Sequence, residues 1–162
     1  MGPTIRRIRV GEGDALARLR LATLAGSPEA FSSTWARQSV HPASHWDQMA
    51  LTGSAGDARA TFVAGEFVGM VGGYRPLEDP SGVELVGMYT SPGHRGSGIG
   101  AALVGAVVTG AGAIGASRVG LWVVRTNAPT IALYEHAGFA DAPAPEGAAG
   151  DCRDERRLAR PV

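Results

Sequence analysis

The sequence predicts a single α/β (α+β) domain that holds both an antiparallel hairpin and a parallel βαβ unit. Three observations carry that prediction. Two β-rich runs, RATFVAG and FVGMVGGYR, meet at Gly65-Glu66 as an antiparallel hairpin. Downstream, a strand-like run at 83–90, a helix-like run at 98–112 and a second strand-like run at 118–124 form a βαβ unit, which demands a parallel pair and a right-handed crossover. At 162 residues the chain has room for one ordinary core and not for two domains, so the whole of 1–162 is read as one unit.

The elements follow in order. Thr4 to Val10 alternates as a strand does, and Asp14 then stands as an N-cap for the apolar-periodic helix ALARLRLATLA, which ends before Gly26-Ser27-Pro28. Ser27 to Pro42 is polar and aromatic without periodicity and is expected to face a substrate; a second helix starts near Ser44. Arg59 to Arg75 is the hairpin, and Leu77 to Gly82 is a turn. After the βαβ unit comes a helix-like TIALYEHA ending at Gly138-Phe139, then an Ala-, Pro- and Gly-rich loop. The charged tail CRDERRLARPV reads as a polar edge strand, the sixth strand that the residues themselves give.

Composition narrows the function. Formal net charge is zero, so neither nucleic acid nor an anionic membrane is an expected partner. No apolar run approaches the roughly twenty residues of a membrane span, and MGPTIRRIRV lacks the apolar centre of a signal peptide, so a cytoplasmic location is expected. Cys152 is the only cysteine, which forbids an intrachain disulfide, and no motif ties a base to its thiol. All fifteen basic residues are arginine. Without lysine, Walker-type nucleotide chemistry and Schiff-base chemistry are both closed.

The chemistry is concentrated where the strand VELVGMYT turns through Ser91-Pro92-Gly93 into His94-Arg95-Gly96-Ser97-Gly98-Ile99-Gly100. Three glycines ahead of a helix leave backbone amides bare, the helix dipole adds positive potential, and Arg95 adds a permanent planar donor. Such a loop suits a pyrophosphate. Gly96, Gly98 and Ala101 also satisfy a dinucleotide-type G-x-G-x-x-A spacing, with Arg125 placed to read an NADP phosphate. Fewer than forty residues remain beyond Arg125, however, too few for the strands such a domain still needs.

A second cluster lies downstream, N-x-x-T-I-x-L-Y-E-x-x-G-F from Asn127 to Phe139. Together, strand, R-G-x-G-x-G loop, helix, strand and this cluster resemble the GCN5-related N-acetyltransferase (GNAT) superfamily, closely from about Val83 to Phe139 and more loosely before that. The resemblance implies a mixed, mostly antiparallel, twisted sheet of about seven strands flanked by about four helices, with the tail as last strand and its loop in the acceptor pocket. It also implies an acetyl-CoA-dependent acyltransferase that acts directly on an amine of a small molecule or peptide, with acetyl-CoA or coenzyme A as co-substrate and no metal. A homodimer is a family-level expectation.

Carried over residue by residue, the resemblance gives the pyrophosphate to the backbone from Arg95 through Gly96, Ser97, Gly98, Ile99 and Gly100 to Ala101. It gives the pantetheine arm to the backbone of Met88, Tyr89 and Thr90, where Gly87 is consistent with a bulge, and to Asn127, which also stands at a helix cap. The side chains of Met88 and Tyr89 are expected in the core. Tyr134 is the expected acid for the departing thiolate. Glu84 is the expected base toward the amine, or else a strand-face carboxylate paired with an arginine. His41 and His45 lie four apart but lack a third ligand at motif spacing, so a surface or pocket role is preferred to metal. Trp35, Trp46 and Tyr74 line either an acceptor pocket or the core, and His136 and Arg125 are expected in solvent. Two other classes stay open: a CoA-sensing module without turnover on the same fold, and an NADP-binding protein.

Overall fold

The computed structural model describes residues 2–26, 34–146 and 154–162. Its elements are β1 (Ile5–Arg7), α1 (Gly13–Gly26), α2 (Trp35–Ser39), α3 (Ala43–Ser54), β2 (Arg59–Ala64), β3 (Gly69–Tyr74), β4 (Gly82–Thr90), α4 (Ile99–Ala113), β5 (Arg118–Val124), α5 (Ala128–His136), β6 (Ala140–Asp141) and β7 (Glu155–Pro161), with a 3-10 turn at Pro92–His94. The seven strands form one sheet in the order β1-β2-β3-β4-β5-β7-β6. Every neighbouring pair is antiparallel except β4 and β5, which run parallel around α4. The mixed, mostly antiparallel sheet is therefore as expected, and the described residues hold five helices where about four were expected.

Each face of the sheet is buried by helices whose apolar residues recur at helical spacing. On α4 the buried positions are Ile99, Leu103, Val104, Val107 and Ala111, one stripe of a 3.6-residue period. That stripe meets Val71, Val83, Leu85 and Val119, and the same core continues under α5 through Ile131 and Tyr134. On the opposite face α1 and α3 contribute Leu16, Leu19, Trp46 and Ala50 against Val63, Met70 and Tyr89. The two helices meet closely at Gly13, where a Cβ would collide with Asp47. Over β4, β5 and β7 this second face is less covered: Val86 is 38% and Trp122 37% exposed.

Several boundaries differ from those read in sequence. The first strand is only Ile5–Arg7, and α1 begins at Gly13, which puts Asp14 inside the first turn and not at the cap. The hairpin turn takes Phe67 and Val68 as well as Gly65 and Glu66 out of the strands, with Phe67 at φ 60°. Trp35–Ser39 is a short helix, capped by the Thr34 hydroxyl on the Arg37 amide, in a stretch read as irregular. The tail is not an edge strand: β7 lies between β5 and the two-residue β6, and its Leu158 is fully buried. Alternation could not reveal β6, because two residues carry no period. Cys152 lies outside the described residues, as do 27–33 and 147–153 of the two segments expected near the acceptor.

Candidate active site

The site is built where the parallel pair comes apart. β4 and β5 are bonded only at Gly82, Val83 and Glu84 against Arg118, Val119 and Gly120. Beyond those residues both strands continue, β4 to Thr90 and β5 to Val124, without pairing to each other. Their facing amides and carbonyls are left without a ladder partner, and a buried backbone polar group needs one from somewhere. An extended ligand with amide groups suits such a wedge.

A bulge marks the same stretch. Met70 pairs with Tyr89 and Gly72 with Val86, so Gly87 and Met88 together oppose Val71 alone. Gly87 takes φ 62°, a conformation that a side chain resists. The bulge sets Met88 against the α4 side of the sheet, where its Cε stands near Gly100, and turns Tyr89 into the α1 and α3 core. The Tyr89 side chain is buried in its core as expected, and that of Met88 is partly buried against the other.

The glycine loop closes the wide end. Gly96 and Gly98 take φ 75° and 86°, and a Cβ at either would meet nothing within 4 Å, so the space in front of the loop is open. Gly98 is the N-cap of α4, with no side chain capping it, and its carbonyl accepts from the Ala102 amide at 3.1 Å. The amides of Ile99, Gly100 and Ala101 are then first-turn donors without helical acceptors, at the positive end of a 15-residue helix. The Ile99 side chain is buried, so it offers only backbone. Gly100 is needed for packing, since a Cβ there would stand 3.1 Å from Leu133 and 3.3 Å from Met88. Ser97 donates its hydroxyl to the His94 carbonyl. Arg95 donates Nε to the Thr90 carbonyl at 3.0 Å and lies over the Tyr89 ring, 5.7 Å from its centroid, while remaining exposed. A pyrophosphate fits this donor set by charge and by room.

Tyr134, on α5, is buried and packs on Phe139 with ring centroids 5.7 Å apart. Burial raises its pKa, which keeps the phenol protonated across the neutral range. Asn127 occupies the N-cap of α5, and its carbonyl accepts from the Ile131 amide, but its side chain makes no cap bond. The expected carboxamide cap is therefore absent.

Glu84 is paired with an arginine that the sequence gave no reason to name. Arg157 of β7 crosses β5 and donates from both terminal nitrogens to the Glu84 carboxylate, at 2.6 and 2.5 Å. Both side chains are largely buried, and the Arg157 guanidinium also lies 5.4 Å from the Trp122 ring centroid. The crossing needs Gly120, because a Cβ there would overlap the guanidinium. Only the register of β7 on β5, which sets Arg157 opposite Trp122, reveals the partner.

The remaining candidates disperse. Trp46 is 4% exposed in the core, Trp35 is exposed, and Tyr74 pairs in register with Glu84 on the open face. His41 and His45 stack at 3.8 Å with Trp46 at their edge. Among the described residues no three His, Cys, Asp or Glu side chains gather as metal ligands. Arg125 and His136 are both exposed, as expected; Arg125 pairs with Asp154 at 2.7 Å, and the His136 ring nitrogen bonds the Ala132 carbonyl.

The model of the Acetyltransferase (GNAT) family matches residues 23–139, most of the chain. The chain belongs to that family. No curated protein matches it in sequence. Solved structures match it over nearly its whole length at low identity. A GNAT-family acetyltransferase from Streptococcus pneumoniae superposes with TM-score 0.79 at 18% identity, covering 98% of this chain and 99% of that one. A phosphinothricin acetyltransferase from Sinorhizobium meliloti, solved with AcCoA, gives 0.78 at 20%, covering 100% and 89%. The ribosomal-protein-S18-alanine N-acetyltransferase of Escherichia coli gives 0.66 at 19%, covering 98% and 93%. This GNAT protein is accordingly an acyl-CoA N-acyltransferase by family, and its fold is the GNAT fold.

Proposed function

We propose that this GNAT protein transfers an acetyl group from acetyl-CoA directly to a primary amine of a small molecule or peptide. The observation that carries the reading is the wedge between β4 and β5 ending at a glycine loop with three unbonded first-turn amides. The pyrophosphate is held by the backbone from Arg95 to Ala101, and the pantetheine arm lies along Met88, Tyr89 and Thr90 with Asn127 across from it. A backbone amide at the Gly87 bulge polarises the thioester carbonyl as negative charge gathers on its oxygen.

The amine nitrogen forms the new C–N bond, the C–S bond breaks, and the sulfur leaves as a thiolate that takes a proton from Tyr134. An amine acceptor arrives mostly as ammonium, so one proton must leave before attack. Glu84 takes it through the lone pairs that Arg157 leaves unused, since a carboxylate has about four acceptor positions. Arg157 holds the carboxylate in place and is a positioning residue. Glu84→Gln should flatten the gain of kcat/KM with rising pH; an unaltered profile removes Glu84 from proton transfer. The similar structures include proteins named for phosphinothricin and for a ribosomal-protein alanine, so both small and macromolecular acceptors belong in a first amine screen.

The deciding test is calorimetric titration with acetyl-CoA, and separately with NADP, on the native chain and on Gly98→Asp. Asp at Gly98 would put a carboxylate into the open cradle. Acetyl-CoA binding that falls by about 100-fold or more in the variant supports the reading. Absence of acetyl-CoA binding, or preference for NADP, overturns it. Acetyl-CoA binding without turnover on any amine would leave a CoA-sensing module as the function.

A further inference from the structure

A second hollow lies toward the other end of α4 from the glycine loop. Small residues on both sides leave it unfilled. Ala60 of β2 and Gly73 of β3 stand directly opposite each other in the ladder, and Gly110 and Ala111 line the hollow from the last turn of α4. Interiors are otherwise close-packed, so small side chains meeting small ones across a helix and a sheet leave space. The result is a cavity of about 60 Å³, well above the roughly 15 Å³ that one water needs. Phe62, Val83, Val107 and Ile114 complete its walls, which makes the interior apolar. From Gly98 to Gly110 the helix rises by roughly 18 Å, so this cavity is well apart from the cradle.

The walls are fixed. A Cβ on Gly73 would stand 3.2 and 3.3 Å from Val83 and Val107, so the bare glycine lets α4 seat closely beside the hollow. Arg75 donates to the Ile114 carbonyl and anchors the end of the helix. At the mouth stands Arg7 of β1, the register partner of Phe62. It donates Nε to the Gly53 carbonyl at 3.0 Å and Nη2 to the Gly56 and Arg59 carbonyls at 2.7 Å each. Those carbonyls fix the guanidinium in place without neutralising it. The ion pairs among the described residues engage other arginines, and there Nη1 of Arg7 makes no hydrogen bond. Asp57 also lines the mouth, but it is exposed, where solvent and salt screen its charge.

An apolar cavity with a fixed cation at its mouth selects one kind of molecule. A short hydrocarbon chain gains by leaving water, and a carboxylate at its end gains a charge-assisted contact with the planar guanidinium. An amine in the same place would meet a like charge. We propose that this cavity is a second ligand site, separate from the active site, that takes a short-chain aliphatic carboxylate. Its chain lies between β2, β3 and α4, and its carboxylate lies on Nη1 of Arg7.

The test titrates the protein with butanoate and isovalerate, and with butanol and butylamine as uncharged and cationic counterparts. Calorimetry reads affinity, and chemical shifts of the backbone amides read location. The expected result is saturable binding of the acids, about 10-fold or more tighter than butanol or butylamine, with shifts centred on Gly110 and no displacement by acetyl-CoA. Gly110→Ala adds a carbon 3.5 Å from Phe62 at the cavity wall, and Gly110→Val adds more. They should weaken acid binding by about threefold and by about 10-fold or more, with acetyl-CoA affinity unchanged. Gly110→Ala replaces a glycine inside a helix, so it is the variant expected to fold in any event. Arg7→Met should bring acid and alcohol to parity, with thermal melts checking that its fold survives. No saturable binding of either acid, parity with butanol in the native protein, tighter binding of butylamine, shifts centred elsewhere, displacement by acetyl-CoA, or unchanged affinity in the Gly110 variants would overturn the proposal. No arm of the test reads turnover, so its failure and a failure of the proposed acetyl transfer are separate results.

Discussion

At the scale of residues, one tyrosine and one glutamate show how far type and environment together define a role. Tyr134 sits in a buried place that keeps its phenol protonated, which suits a donor and not a base. Tyr134→Phe should lower kcat by roughly 100-fold while acetyl-CoA affinity stays within about twofold, because the ring still packs on Phe139. An unchanged single-turnover rate would remove the acid role. The Tyr134 motif was legible in sequence; its burial was not. For Glu84 the sequence left two readings open, a base or an arginine-paired carboxylate. The pairing is now visible, and the proton-transfer role must be carried beside it. Nothing about Arg157 in CRDERRLARPV marks it out from its arginine neighbours, since charge runs have no period that points inward.

At the scale of elements, the wedge and the loop are set by local rules, whereas the helix pair α2 and α3 is set by packing. The positive φ values at Gly87, Gly96 and Gly98 fall where the sequence placed a bulge and a cradle, because only glycine adopts them freely. His41, between α2 and α3, stacks on His45 in the first turn of α3, both in contact with the buried Trp46. Burial, and then His41, hold the His45 pKa below its ordinary 6.5. A base depressed in this way binds fewer protons folded than unfolded, so its stabilising contribution is present above pH 6.5 and is lost as pH falls through the lowered value. Melting temperature should therefore drop between about pH 7.5 and about pH 5.5, and His45→Gln should shrink that drop by about 1 to 3 °C. Melts of the two proteins that fall in parallel would show that His45 is not the group responsible.

At the scale of the whole molecule, the Glu84–Arg157 pair ties β4 to β7 across β5 at the apex of the wedge. Removing one member leaves a buried charge uncompensated, a loss of about 3–5 kcal/mol. Gly120→Val should produce a similar loss by displacing the guanidinium, readable as a lower denaturant midpoint with an unchanged slope. Replacing both members by leucine should cost less than the two single losses added together, since the double variant buries no lone charge. Additive losses would mean that the pair is not coupled as its geometry indicates.

What the sequence determined by itself was the βαβ unit, the hairpin, the glycine loop and the tyrosine cluster. Each is a local pattern of spacing, handedness or backbone freedom, and local physics acts before any distant residue arrives. The fold class and the family followed from those patterns. What only the tertiary structure decided was which distant residues meet: Arg157 with Glu84 over Gly120, Arg20 with the Gly87 bulge, and a charged tail set between β5 and β6 and not at the sheet's edge. Those meetings depend on strand register and on the path of a helix across a face. A one-residue slip in register would send every side chain of β7 to the opposite face, and nothing in the order of amino acids within β7 alone specifies that choice.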